Sequence, residues 1–203
     1  MRSAEKLANT LVGTLSGKRQ LVAIAGAPGS GKSTLARDAA DALAARGRKT
    51  AVVPMDGFHY DDRVLAELEL AHRKGAPETF DFNGFESLLK RLRSGDETVA
   101  IPIFDRGMEL SRAAAGLVTP ETELVLVEGN YLLLDEDPWR RLAALFDMRF
   151  FLDVRLEELE RRLLARWAAH GREAEAAIKW VKENDLPNAV RVIKHRLPAD
   201  LVL

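Results

Sequence analysis

Apolar runs of strand length alternate with longer amphipathic stretches along almost the whole chain. Five such runs carry at most one charge each: residues 20–25, 50–55, 98–104, 123–127 and 148–152. Continuous apolar runs of this kind are typical of strands buried on both faces. A final short strand is expected at 199–203.

Amphipathic segments separate these runs and predict helices. The segments are residues 33–45, 61–72, 84–92, 138–145 and 156–169. An earlier helix is predicted from the helical spacing of Leu7, Leu11, Val12 and Leu15. This β-then-α order predicts a three-layer α/β/α fold with a mostly parallel sheet, whose ligands bind at the carboxyl ends of the strands.

Composition narrows the function classes. The 203 residues are enough for one domain, and no Gly-, Ser- and Pro-rich linker divides them. The 30 basic and 31 acidic residues nearly cancel, which disfavours a nucleic-acid partner, and the absence of cysteine excludes disulfides and thiolate metal sites. The first twenty residues lack a continuous apolar core, so we expect a cytoplasmic protein without a membrane partner.

A glycine-rich loop lies between the first predicted strand and helix, and it is the strongest chemical signal. Residues 26–33 read GAPGSGKS, a complete phosphate-binding loop. Backbone N–H groups of such a loop, with the helix N-terminus, hold a triphosphate. The residues predicted to bind ATP are Gly26, Ala27, Pro28, Gly29, Ser30, Gly31, Lys32, Ser33 and Thr34.

Two carboxylates follow predicted strands. Glu128 comes after residues 124–127, where a carboxylate can complete a Mg²⁺ site with the Ser33 hydroxyl. The alternative is that Glu128 only ends a strand beside a turn. Asp56 follows residues 50–55 and is the predicted general base for an acceptor hydroxyl, implying transfer to an alcohol. Asp56 and Gly57 could instead form a simple turn.

Polar and aromatic residues around these strand ends are candidates for binding the acceptor. They are His59, Tyr60, Arg63, Asp105, Arg106 and Arg112, each of which could equally be ordinary surface packing. The helix starting at Leu156 carries several arginines. One interpretation is that these arginines form a solvated face of the helix. The other is that the segment 155–188 is a lid that brings Arg162 and Arg166 onto the transferred phosphoryl group. Lys32 is also predicted to act on that group.

Several motifs together resemble the superfamily of P-loop kinases that contains phosphoribulokinase, uridine kinase and bacterial type I pantothenate kinase. They are GAPGSGKS at 26–33, MDGFH at 55–59, GAPETFD at 75–81, IPIFDR at 101–106 and VEGNY at 127–131. ENDLPNA at 183–189 and LPAD at 197–200 are most similar to a bacterial subgroup often labelled fructose transport system kinases.

The resemblance implies ATP as donor and Asp56 as the matching catalytic aspartate. It also implies an acceptor site built from residues 56–63, 77–81 and 105–112, including Asp81. The leading hypothesis is a kinase for a sugar or sugar-like alcohol, with a nucleoside or pantothenate-like acceptor as the alternative. A hypothesis of another class is an accessory ATPase or switch acting on a protein. A homodimer is left open.

Overall fold

The structure, a computed structural model, describes residues 3–13 and 18–203. The strands in this part of the chain are β1 (Gln20–Gly26), β2 (Thr50–Pro54), β3 (Val99–Asp105), β4 (Leu110–Val118), β5 (Leu124–Gly129), β6 (Met148–Leu152) and β7 (Leu201–Val202). The α-helices are α1 (Ser3–Val12), α2 (Lys32–Ala44), α3 (Asp62–Glu67), α4 (Phe82–Ser94), α5 (Leu156–Ala169), α6 (Ala174–Trp180) and α7 (Leu186–Lys194). A π-helical turn, Val181–Asp185, joins α6 to α7.

The central sheet has five parallel strands in the order β2-β5-β1-β6-β7. Every residue of β1 and β5 is buried, because helices cover both faces. Helices α1 and α2 pack on one face, and α4, α5 and α7 pack on the other. The predicted three-layer α/β/α fold is therefore confirmed. The parallel order brings the carboxyl ends of β1, β2 and β5 to one edge.

The run at 98–104 was expected to join the parallel sheet, and this expectation is wrong. β3 pairs only with β4, in a separate two-stranded antiparallel hairpin. Two features of β3 explain this. Pro102 has no N–H for a second ladder and lies where the pairing register shifts, and the start of the strand alternates between buried and exposed residues.

Most predicted helices form, with some changes at their ends. The stretch 61–72 contains only the short helix α3, followed by a 3-10 turn at Ala71–Arg73, and the stretch 138–145 is a 3-10 helix at Trp139–Leu145. The expected last strand is present as β7. Leu15 lies outside the described residues. Among those that are described, no helix is long and apolar enough to cross a membrane.

Candidate active site

The phosphate-binding loop connects β1 to α2, as predicted. Gly31 has φ +95° and immediately precedes α2, a backbone conformation that side chains with a Cβ rarely adopt. Lys32 is the first residue of α2 and is largely buried. The free N–H groups of this helix start therefore face the loop.

Glu128 lies beside this loop because β5 is the strand between β1 and β2. It is in register with Ile24 of β1 and Pro54 of β2. The Ser33 hydroxyl donates to Glu128 Oε1 at 3.0 Å. Burial raises the pKa of Glu128, and the positive charge of Lys32 opposes that shift.

A hydroxyl beside a single carboxylate suits Mg²⁺, which keeps several waters and phosphate oxygens and needs few protein ligands. No group of three or more His, Cys, Asp or Glu able to hold a metal occurs within residues 3–13 and 18–203. Ser33 and Glu128 therefore fit a nucleotide-bound Mg²⁺ better than a metal held by protein alone.

Asp56 lies in the turn Met55–Phe58, directly after β2 and next to the strand that carries Glu128. Arg106 Nη2 donates to Asp56 Oδ2. Burial works to raise the pKa of Asp56, but the nearby charges of Arg106 and Lys32 outweigh it, and the pKa lies below its usual value. Asp56 is therefore ionised at neutral pH, as a general base must be.

The β3–β4 hairpin packs against this turn and delivers Arg106. A Cβ on Gly57 would lie 2.4 Å from the carbonyl oxygen of Pro102, so only glycine allows this approach. The Ser111 hydroxyl donates to the Gly57 carbonyl oxygen. The Asp56-Gly57 pair is therefore a docking point for the hairpin as well as a turn.

His59 extends the site with an aromatic surface. Its ring centroid is 3.9 Å from that of Phe80 and 5.4 Å from that of Phe104. Burial lowers the pKa of His59 to about 4, so the ring is neutral at physiological pH. Its buried Nδ1 has no hydrogen-bond partner among the described residues.

Helix α5 closes the other side of the site. Arg162 Nη1 donates to the Ser30 carbonyl oxygen at 2.9 Å, and its Nε donates to Glu158 Oε1 at 2.7 Å. Arg166 is half-buried, and this burial lowers its pKa. Arg162 therefore contacts the phosphate-binding loop and Arg166 lines the same cleft, while closure of residues 155–188 as a lid stays a prediction.

One cleft of about 1110 Å³ connects these elements. The sequence-predicted residues that line it are Pro28, Gly29, Gly31, Lys32, Ser33, Thr34, Asp56, His59, Arg162 and Arg166. Glu128 is buried behind Ser33. The cleft thus joins the predicted triphosphate site to the predicted base.

Three predicted acceptor residues do not line this cleft. The side chain of Arg63 is 86% exposed and pairs with Glu67 at 3.1 Å on α3. The Asp81 carboxylate caps α4 by accepting from the backbone N–H of Gly84 at 2.9 Å. Tyr60 is half-buried outside the lining.

Two further predicted residues lie at the hairpin tip, also outside the cleft lining. Asp105 accepts from the backbone N–H groups of Gly107 and Met108, and Arg112 donates to it at 3.3 Å. These contacts stabilise the tip. Substrate binding by these five residues therefore stays a prediction.

Several cleft residues were not among the predicted site residues. Arg106 was weighed together with Asp105 and Arg112. Glu109, Asn130 and Asp185 lie in recognised segments but were given no individual role, and Lys74 and Trp180 were not singled out at all. Lys74 Nζ pairs with Asp62 Oδ1 at 2.7 Å and Glu109 Oε2 at 3.4 Å. Such pairs join distant segments, so no spacing in the sequence marks them.

The model of the phosphoribulokinase / uridine kinase family matches residues 21–203. The chain belongs to this family. It is therefore a P-loop kinase, an ATP-dependent enzyme, as the resemblance implied.

Individual relatives agree with this assignment. A crystal structure from Silicibacter sp. TM1040, described as a "putative fructose transport system kinase", is 47% identical with a TM-score of 0.93, and covers 100% of this chain and 99% of that one. The uncharacterised protein YggC of Escherichia coli strain K12 is 35% identical over 189 residues, 92% of this chain and 78% of YggC. A pantothenate kinase of Mycolicibacterium vanbaalenii is 29% identical over 150 residues, 72% of this chain but only 47% of that protein.

Proposed function

We propose that the protein transfers the γ-phosphoryl group of ATP to a hydroxyl of a small sugar or sugar-like metabolite. The observation that carries this proposal is that one cleft holds both the phosphate-binding loop and an ionised Asp56. An ATPase switch needs no base for a second substrate. The similarity to a protein described as a fructose transport system kinase supports a sugar-like acceptor.

In the proposed reaction, Asp56 accepts the proton of the acceptor hydroxyl while that oxygen forms a bond to the γ-phosphorus. The bond between the γ-phosphorus and the β,γ-bridging oxygen breaks, and ADP leaves with the electron pair. Lys32, Arg162 and Arg166 hold and neutralise the phosphate oxygens. Mg²⁺, held beside Ser33 and Glu128, would supply further charge neutralisation.

Arg106 donates to one oxygen of the Asp56 carboxylate, Oδ2. A carboxylate has two oxygens and several acceptor positions, so the acceptor hydroxyl can donate to Asp56 while Arg106 stays in place. Arg106 thereby keeps the half-buried carboxylate paired when no acceptor is present.

A nucleoside is the second candidate acceptor, since His59, Phe104 and Trp167 line the same cleft and aromatic rings can stack on a base. A cytoplasmic location and a homodimer stay predictions from the sequence.

The test is a coupled ADP-release assay with a panel of sugars, polyols, sugar acids, sugar phosphates and nucleosides. We expect acceptor-dependent turnover that Asp56→Asn lowers about 100- to 10,000-fold. Asp96→Asn, an exposed aspartate in the loop before β3, is the matched control and should leave turnover unchanged. Unchanged turnover in Asp56→Asn would refute the assignment of the base. Tight nucleotide binding with no acceptor-dependent turnover would favour the switch hypothesis.

A further inference from the structure

The cations around the acceptor side of the cleft differ in their partners. Lys74 pairs with Asp62 and Glu109, and Arg106 pairs with Asp56. Arg172 also lines the cleft, but no carboxylate lies within 4.0 Å of its guanidinium among the residues that the structure describes. The Asp185 carboxylate lines the same cleft and the charge of Arg172 acts to lower its pKa, but the two side chains form no ion pair. A half-buried guanidinium without a direct anionic partner needs an explanation.

Two indole rings hold Arg172 in place. Its guanidinium carbon lies 4.2 Å from the ring centroid of Trp167 and 4.7 Å from that of Trp180. The two indoles are 6.1 Å apart at an interplanar angle of 74°. We call these three residues the Trp-Arg-Trp cluster. Both contacts are cation–π contacts, and an indole ring offers no oxygen or nitrogen acceptor for the guanidinium N–H groups, which are left to bind a ligand.

Trp180 adds an unused donor to the cluster. Its Nε1 is buried and has no hydrogen-bond partner in the described part of the chain. The neighbouring Trp167 Nε1, in contrast, donates to Asp185 Oδ2 at 2.7 Å. Buried donors are nearly always paired in proteins, so this unpaired N–H, on a residue that lines the cleft, is a position where a bound ligand could supply the acceptor atom.

We propose that the Trp-Arg-Trp cluster binds an anionic oxygen group, a carboxylate or a phosphate, on the acceptor at a distance from its reacting hydroxyl. The charged, forked guanidinium of Arg172 matches the oxygens of such a group, and the unpaired Trp180 N–H beside it offers a further donor. The inference rests on the proposed kinase function. It narrows the acceptor from any sugar-like alcohol to one that carries an acidic group.

ATP is a second source of anionic oxygens, and its phosphates could reach the cluster instead. The phosphate-binding loop already supplies Lys32, a helix N-terminus and two neighbouring arginines for those phosphates. The experiment therefore fills the donor site first and measures the acceptor side separately.

The direct test titrates inorganic phosphate, and malonate in parallel, into the protein saturated with Mg²⁺ and the non-hydrolysable analogue β,γ-imido-ATP. Tryptophan fluorescence reports binding, because two of the three tryptophans belong to the cluster. We expect saturable binding that Arg172→Gln weakens about 10- to 100-fold. Trp180→Phe keeps an aromatic ring but loses the indole N–H donor, and it should weaken anion binding less than Arg172→Gln does. Arg161→Gln, an exposed arginine of α5 outside the cleft lining, is the control.

Equal anion affinity in the wild type and Arg172→Gln would overturn the proposal, as would the absence of saturable binding. A weaker affinity of Arg172→Gln for the ATP analogue with no change for the anions would assign the cluster to the donor and also overturn it. Thermal melting of each variant excludes unfolding as the cause.

Kinetics supplies the second test, in which fructose is compared with gluconate and fructose 6-phosphate. We expect kcat/KM for gluconate or for fructose 6-phosphate to be at least tenfold higher than kcat/KM for fructose. Arg172→Gln should remove that preference mainly by raising the KM for the acidic acceptor. A preference for fructose would overturn the inference. Asp56→Asn separates the two proposals, because it should remove most of the turnover but keep anion binding. Unchanged turnover in this variant would refute the assignment of Asp56 as the base, and the anion titration would still test the Trp-Arg-Trp cluster.

Discussion

The donor half of the cleft, residues 26–34 with Glu128, comes from the ends of two adjacent strands, whereas the acceptor half is assembled from several segments that are far apart in the chain. The donor half acts mainly through backbone N–H groups and one helix start. The acceptor half acts through side chains that largely neutralise one another, as in Arg106 with Asp56 and Lys74 with Glu109. A short contiguous loop can therefore specify the donor, while the acceptor depends on how distant segments pack.

The largest effect should come from the donor half. Lys32→Met removes the loop cation while keeping a similar length of apolar side chain, and we expect kcat to fall about 100- to 1000-fold. The melting temperature should hold, because the variant buries no charge. Lys90→Met, at an exposed pair with Glu86 on α4, is the control. A small change in kcat would mean that the loop backbone alone supports transfer.

Glu128→Gln should weaken Mg²⁺ binding beside the phosphate-binding loop. The amide keeps the size of the side chain but loses the charge beside the Ser33 hydroxyl, so we expect apparent Mg²⁺ affinity to fall about 10- to 100-fold. Activity measured against free Mg²⁺ at fixed ATP would show this. Glu121→Gln, in the exposed turn before β5, should not shift the Mg²⁺ curve. An unshifted curve for Glu128→Gln would contradict the assignment.

Arg106→Gln tests the charge balance of the acceptor half. Asp56 works when unprotonated, so activity is lost as the pH falls through its pKa. Because Arg106 helps to hold that pKa below its usual value, its removal should raise the pKa and move the acidic limb of kcat/KM to higher pH. Arg112→Gln removes a charge from the same hairpin outside the cleft and should leave that limb in place. A shift to lower pH in Arg106→Gln would refute this account.

The smallest effects are expected for the predicted acceptor residues that lie outside the cleft lining. Asp81→Ala removes the N-cap of α4 and should cost about 1 kcal/mol of unfolding free energy without changing the acceptor KM. Arg63→Gln breaks an exposed pair and should change unfolding free energy by less than about 0.5 kcal/mol. Denaturant titration and acceptor kinetics measure both. A raised acceptor KM with unchanged stability would restore the original prediction for either residue.

The wrong prediction for β3 shows a limit of predicting sheet topology from sequence. Its apolar run resembles a central strand, and only Pro102 warned against that placement. The hairpin partner β4 had no predicted strand, because its middle residues are exposed and small. Arg106 was consequently placed at a sheet edge, although it reaches Asp56 from a separate hairpin.

The features that could be predicted are encoded locally: the buried strands, the glycine loop at 26–33, the Asp56 carboxylate after β2 and the Glu128 carboxylate near the end of β5. The hydrophobic periodicity, the β-then-α order that predicts a parallel sheet and the loop motif each involve residues that are neighbours in the chain, so they can be recognised without a structure. The acceptor half, in contrast, is defined only in the folded protein. Its pairs and the Trp-Arg-Trp cluster join residues far apart in the chain, and burial, contact distance and unpaired donors exist only once those segments have packed.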